Sequence, residues 1–211
     1  MEILNIVAII VTIFSALFFI PLISEFWNRP RFAYGFLNQN PEITSRNLKA
    51  DPHKRLNLSK WKPKPSLKYL CKNNSVRVPM IVSNIGRGDV KDGMVLIEYW
   101  KRDFIVEEIH TEYLKLFVAF GSKDHFTSKS LWDKIPNDDI IEYYDSIGMK
   151  GNFLEFVGNL PAHTYEVILF DIHIIKPIKI KFKLSLRSPN RLFQQHSIEQ
   201  EIEFIQEEES N

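Results

Sequence analysis

The sequence is poor in the residues on which secreted scaffolds and most enzymes depend. It holds one cysteine, Cys71, in 211 residues, so no intramolecular disulfide can form and the fold must stand on packing alone. Its six histidines, His53, His110, His125, His163, His173 and His196, form no H-E-x-x-H or comparable ligand spacing. A G-x-S-x-G elbow and a phosphate-cradling glycine loop are both missing. Lys68 and Lys72 flank Cys71 closely enough to depress a thiol, yet no base partner accompanies them. Glu107 and Glu108 are adjacent and so point different ways on a strand or a helix, which is not the geometry of an acid/base pair. These absences assign no catalytic residue, no cofactor and no metal, and the expectation is a protein that binds rather than catalyses.

Charge is absent from one long run. Residues 3–23, ILNIVAIIVTIFSALFFIPLI, carry none, and 15 of these 21 residues are Ile, Leu, Val or Phe. As a helix the run would span about 31 Å, the thickness of a bilayer's hydrocarbon core. A cleaved signal peptide would need a basic start, a shorter core and small residues at a cleavage site; the only charged side chain before the run is Glu2. The reading is a permanent single-pass anchor over 1–25. Arg29 and Arg31 follow the run and no Lys or Arg precedes it, so the positive-inside bias places the C-terminal side in the cytoplasm. Trp27, Arg29, Arg31 and Tyr34 are the expected membrane-interface residues, the aromatics as part of an interfacial belt.

Beyond the anchor the charges separate. Residues 25–72 hold eleven Lys or Arg against Glu25, Glu42 and Asp51, while the last thirteen hold six Glu and no base. Residues 26–65 contain five prolines and no sustained apolar period, so they read as a basic linker or a meandering first layer on the domain. Anionic lipid headgroups are a partner such a segment would attract. Nucleic acid is not expected, because no recognised motif or stacking platform accompanies the charge. The triplets NLS at Asn57 and NNS at Asn73 are glycosylation acceptors only in a eukaryotic secretory lumen.

From about residue 75 the chain reads as strands. In SVRVPMIVSN, Val76, Val78, Met80 and Val82 share a face, and Pro79 predicts an edge strand or a bulge. IGRGD is then a turn; its Arg87–Gly88–Asp89 is an integrin-type tripeptide, for which the turn explanation suffices. MVLIEYW returns as the next strand. The stretch VSNIGRGDVKDGMVLIEYW resembles the strand, Gly-containing turn and returning strand of bacterial immunoglobulin-like domains of the CARDB type. The resemblance implies an antiparallel two-sheet sandwich used for adhesion and assembly, and it carries over no catalytic residue.

The C-terminal third sets the clearest pattern. Ile178, Ile180, Phe182, Leu184 and Leu186 alternate with Lys179, Lys181, Lys183 and Arg187, and Ile198, Ile202 and Phe204 alternate with Glu199, Glu201 and Glu203. Folded as a hairpin around Arg191, the two strands bring Lys183 opposite Glu199, Lys181 opposite Glu201, Lys179 opposite Glu203, and Leu184 opposite Ile198. The glutamates thereby answer a lysine row that would otherwise pass for a phosphate comb. Thr164–Ile174 adds a strand whose inner face is Ile168, Phe170, Ile172 and Ile174. Residues 103–120 satisfy both a helical stripe and a strand, and NDDIIEYYDSIG has the caps of a short helix. Residues of about 121–150 are thus an insertion, in which Phe126 and Trp132 are candidate partner anchors. Asp171 and His173 stand two apart on one strand face, a spacing that would suit a metal with a third ligand such as His163 and that a half-exposed strand explains equally well.

The expected organisation is an anchor at 1–25, a basic linker at 26–65, an immunoglobulin-like antiparallel β-sandwich at 66–206 with a small helical insertion, and an acidic tail at 207–211. The expected function is a membrane-anchored, non-enzymatic interaction module, a scaffold, sensor or assembly factor, with a cytoplasmic sandwich, whose partners are the bilayer, a protein and anionic headgroups. Two alternatives from other classes are an exported envelope or adhesion module of opposite topology, and a ligand-sensing or hydrolytic effector with a pocket at the insertion.

Overall fold

Period-two alternation is realised as strands in the structure, a computed structural model that describes residues 17, 19–20, 29–38, 61–99, 104–112, 114–120, 152–187 and 196–206. The strands are β1 (Phe32–Phe36), β2 (Ser66–Cys71), β3 (Ser75–Asn84), β4 (Val90–Tyr99), β5 (Phe104–His110), β6 (Lys115–Phe120), β7 (Asn152–Leu160), β8 (Thr164–Ile174), β9 (Ile178–Arg187) and β10 (His196–Gln206). They form a four-stranded sheet in the order β1-β3-β8-β5 and a six-stranded sheet in the order β2-β10-β9-β4-β7-β6. Residues 103–120, which fit either period, supply two strands, β5 and β6. The short helix expected within the insertion lies outside the described residues.

The predicted apolar faces are the buried ones. Val76, Val78, Met80 and Val82 of β3, Ile168, Phe170, Ile172 and Ile174 of β8, and Ile178, Ile180, Phe182, Leu184 and Leu186 of β9 all belong to the core. Rings from both sheets meet between them: Phe36 of β1 lies 4.9 Å from Phe182 of β9, and Tyr99 of β4 lies 5.0 Å from Phe104 of β5, centroid to centroid. Tilted aromatic pairs at this separation add to the area they bury.

The β9–β10 register is the one charge and packing select, with Lys183 opposite Glu199, Lys181 opposite Glu201, Lys179 opposite Glu203 and Leu184 opposite Ile198. The ion pairs nevertheless run diagonally. Lys181 meets Glu199 at 2.5 Å and Lys179 meets Glu201 at 2.7 Å, which leaves Glu203 for Lys68 of β2 and Lys183 for Glu98 of β4. The twist between strands brings i and j±2 neighbours within reach of long side chains, so one ladder stitches four strands.

Three expectations are corrected. The sandwich is not wholly antiparallel, because β2 runs parallel to β10. It also starts before residue 66, since β1 lies within the expected linker and pairs with β3; the first-layer reading describes 32–36. Finally, β3 is central rather than an edge, flanked by β1 and β8. Pro79 is accommodated because it falls at the end of the β1 ladder. Its carbonyl accepts the Leu37 N–H, and the Leu37 carbonyl, which an ordinary residue 79 would have bonded, accepts the Tyr69 hydroxyl instead.

The free side of β1 is closed by a buried glutamine. Gln200, on the inward face of β10, accepts from the Phe36 N–H and donates to the carbonyls of Phe36 and Lys64. Gly35, at φ 152°, makes this approach possible, since a Cβ there would meet the Gln200 side-chain oxygen at 2.7 Å and Pro63 at 2.8 Å.

Of the apolar run 3–23, Leu17, Phe19 and Ile20 are described; they are helical and 62–65% exposed. Among the described residues no helix is long and apolar enough to cross a membrane. The rest of the expected anchor lies outside the described residues.

Candidate functional site

Among the described residues, a cluster of titratable side chains that meet across three strands stands on the outward face of the four-stranded sheet, where the pleat turns every second residue away from the core. Arg77 of β3 faces Asp171 of β8 in register, and its guanidinium grips both carboxylate oxygens, at 2.5 and 2.6 Å. His110 of β5 approaches the same carboxylate with Nε2 at 3.0 Å and stands 3.5 Å from Glu108. A bulge between Val106 and Glu108 shifts the register and turns Glu108 toward this cluster. Burial alone would raise the Asp171 pKa; hydrogen bonds from Arg77 and His110, with their charges, outweigh it and leave the carboxyl below its ordinary value. The bond to Asp171 in turn raises Arg77, against the effect of burial.

Three ligand atoms of Glu108, His110 and Asp171 lie within 4.8 Å of one another. Their chemistry argues against a cation, because Asp171 already neutralises a guanidinium that would stand beside the ion. The expected third ligand, His163, is remote. It occupies the β7–β8 turn with φ 59°, ten residues along β8 from His173, or about 33 Å of strand. Asp171 and His173 do share a face, as their spacing requires, but each has a different neighbour. His173 Nδ1 is 3.2 Å from the Ser75 hydroxyl and 4.0 Å from Glu107. A nucleophile, base and orienting acid would engage the two ring nitrogens separately; here both contacts fall on one nitrogen. The cluster clamps β3, β8 and β5 together, and its members Arg77, Glu108 and His110 escaped sequence reading because only the tertiary register brings them to Asp171.

The other candidate residues scatter. Tyr34 is buried in β1 at 5% exposure, so its ring belongs to the core and not to an interfacial belt, and burial pushes its phenol up to about 12. The reason is positional, since residue 34 faces inward once β1 joins the sheet. Cys71 is likewise buried, its thiol pushed up to about 11. Trp27, Phe126 and Trp132 lie outside the described residues. Asn73 and Asn74, at φ 49° and 63°, make the β2–β3 turn.

Arg29 and Arg31 lie at one corner of the sandwich. The Arg31 carbonyl accepts the N–H groups of Ile85 and Gly86, and its own N–H reaches the Asn84 side chain at 3.3 Å. Asn84 is buried and also donates to the carbonyls of Gly88 and Leu160, holding the β3–β4 turn against the end of β7. Gly86 is required there, because a Cβ would meet the Arg31 nitrogen at 2.3 Å. Asp89 of the Arg-Gly-Asp tripeptide accepts the Ala162 N–H and ties the β3–β4 turn to the β7–β8 turn, which is the turn role expected of it. A further carboxylate unseen in the sequence, buried Glu166, accepts the N–H groups of Glu112 and Leu114 and fixes the β5–β6 connection.

No family model matches the sequence, and no curated protein matches it. Solved structures similar in fold include a type I cohesin–dockerin complex from Clostridium thermocellum, at 11% identity over 66% of this chain and 94% of that chain with a TM-score of 0.38. The collagen-binding subdomain of the Enterococcus faecalis surface protein ACE is similar at 10% identity over 65% and 91%, TM-score 0.34. AvmM, which catalyzes macrocyclization in alchivemycin A biosynthesis, is similar at 6% identity over 83% and 89%, TM-score 0.31. The two-sheet sandwich is given by this chain's own strand order, and function belongs to sites grafted on such folds.

Proposed function

We propose that this protein is a single-pass membrane-anchored interaction module whose β-sandwich holds a protein partner close to the inner face of the membrane. The observation that carries the anchor is the described part of the apolar run, where Leu17, Phe19 and Ile20 are helical and turn more than three-fifths of their surface outward. Side chains of that size are costly in water and favourable in hydrocarbon. Arg29 and Arg31 supply the positive-inside signal. The clustered polar side chains of the sandwich engage one another as clamps and turn ties, which suits a rigid platform for binding.

The test uses a new thiol, since Cys71 is buried. Lys176→Cys, in the exposed β8–β9 turn, is exposed to a membrane-impermeant maleimide in intact and then opened cells, with carbonate extraction in parallel. Retention in the membrane pellet with labelling only after opening is expected. Labelling of intact cells would instead establish the envelope or adhesion alternative, and release into the carbonate supernatant would remove the anchor.

A further inference from the structure

The outward face of the six-stranded sheet carries a second apolar cluster. Leu96 of β4, Val118 of β6 and Phe153 of β7 are only 5%, 5% and 2% exposed and pack apart from the main core. Two carboxylates share their burial on that face: Glu155 stands in register between Leu96 and Val118, and Glu98 stands opposite Phe153. The outward side chains of an antiparallel sheet meet water unless a further layer lies over them. Val118 is the sharpest case, because β6 is a terminal strand with a neighbour on one side only. A single chain achieves this burial, so the cover belongs to the chain itself.

The burial is graded along all three strands. Outward residues go from buried Glu98 and Leu96 to half-buried Met94 on β4, from buried Phe153 and Glu155 to half-buried Val157 on β7, and from buried Val118 to exposed Lys115 on β6. The cover therefore comes onto the sheet from the end marked by Tyr99, Phe120 and Asn152. Two connections leave these strands there. The β4–β5 connection, 100–103, must cross to the other sheet, about 10 Å away, and has little length left. Residues 121–151 join β6 to β7, which are paired neighbours; a tight turn would suffice for that, so most of their length is surplus. Chain from the β2–β10 side would have to pass over β9, whose outward Lys179 and Lys181 are exposed. Chain before Arg29 or beyond Arg187 enters at the opposite end, where the face is open.

We infer that the outward face of β4, β7 and β6 is an intramolecular docking seat for residues 121–151, in which Leu96, Val118 and Phe153 receive the segment's aromatics, Phe126 and Trp132. Burial of large rings against three apolar side chains supplies the driving force. The inference is independent of the membrane-anchored reading. It assigns the two aromatics to a third layer on the sandwich and leaves external partners to other surfaces.

The experiment places a thiol by Val118→Cys or Lys115→Cys in the full chain carrying Cys71→Ala and follows alkylation by a maleimide under native conditions. The thiol at 118 is expected to react about tenfold or more slowly than the one at 115. Replacing 121–151 by Asn-Gly, a turn that keeps β6 and β7 paired, should bring the two rates together. In parallel, p-benzoylphenylalanine takes the place of Phe126 or of Trp132 in the full chain, and an equal mixture of isotopically light and heavy chains is irradiated. Crosslinks to β4, β6 or β7 within one chain are expected from at least one position. Crosslinks between light and heavy chains would put a second copy on the face and overturn the intramolecular seat. Crosslinks elsewhere or none from both positions also overturn it, as do equal rates at 118 and 115 in the full chain. Protection at 118 that survives the replacement, in a variant with native near-ultraviolet circular dichroism, would assign the cover to another segment. If the shortened chain does not fold, the crosslinks decide alone.

Discussion

Single side chains at the ends of ladders decide whether this sandwich closes, and two tyrosines show the difference between a used and an idle hydroxyl. Tyr69 donates to the Leu37 carbonyl that Pro79 cannot serve, whereas the buried Tyr99 hydroxyl has no partner among the described residues. Leaving a buried acceptor unpaired costs about 1–3 kcal/mol, while removing an idle polar group is neutral or stabilising. Tyr69→Phe is therefore expected to lower unfolding stability by about 1–3 kcal/mol in a urea titration, and Tyr99→Phe to leave it equal or higher. Neither outcome could be read from the sequence, in which both residues are inward aromatics on alternating strands. Gln200 is similar: it interrupts the apolar face Ile198–Ile202–Phe204, and the interruption is itself the visible signal of a polar group with something to hold.

Between elements, the outward face of the four-stranded sheet is tied by Arg77, Asp171 and His110, one from each of three neighbouring strands. The two side chains of the Arg77–Asp171 pair are each 19% exposed, shielded enough for a two-pronged bond to count. Arg77→Ala is expected to cost about 1.5–3 kcal/mol, and the double-mutant cycle with Asp171→Ala to return a coupling of the same sign. The Asp171 carboxyl has a depressed pKa in the folded state, so its contribution is present above the ordinary carboxylate range and is lost as pH falls through the folded value. Urea midpoints measured downward from pH 5, where free aspartates near pH 4 begin to titrate, should fall more steeply for the wild type than for Arg77→Ala. Parallel curves would remove the clamp from the acid response. The spacing of Asp171 and His173 made their common face legible, but the partners came from β3 and β5, which are far away in the chain.

For the whole molecule, the core keeps several ionisable groups neutral. Burial raises the Cys71 thiol from 9.0 to about 11 and the Tyr34 phenol from 10.0 to about 12, and it pushes Tyr69 and Tyr99 up further still. A backbone hydrogen bond from Ile205 only partly offsets this for Cys71. Above pH 9 the unfolded chain releases protons that the folded chain retains, so fewer protons are bound unfolded than folded and stability falls with rising pH. An alkaline loss of stability is expected to begin near pH 9, the ordinary thiol value, and to steepen above pH 10 as the tyrosines join. Thermal unfolding across pH 8–11 in steps, for wild type and Cys71→Ala, checks it; the variant should lose the earliest part of the decline, and coincident curves would show that Cys71 has no share in it.

Local chemistry by itself determined the strands with strict alternation, the β9–β10 register, the turn around Arg87–Asp89 and the apolar run that nominates an anchor. In each of these, neighbours within one hairpin or one helix turn carry the signal, so period and charge matching suffice. Tertiary structure alone decided that β1 belongs to the sandwich, that β3 is central despite Pro79, that β2 pairs parallel with β10, and that Tyr34 and Cys71 are interior. It also placed Arg31 on the turn at Gly86, bringing a residue beside the apolar run onto the tip of the sandwich. These outcomes depend on contacts between segments forty or more residues apart, as with Arg31 and Asn84, separated by 53. Their energies come from burying two faces at once, and no single stretch of sequence carries both faces.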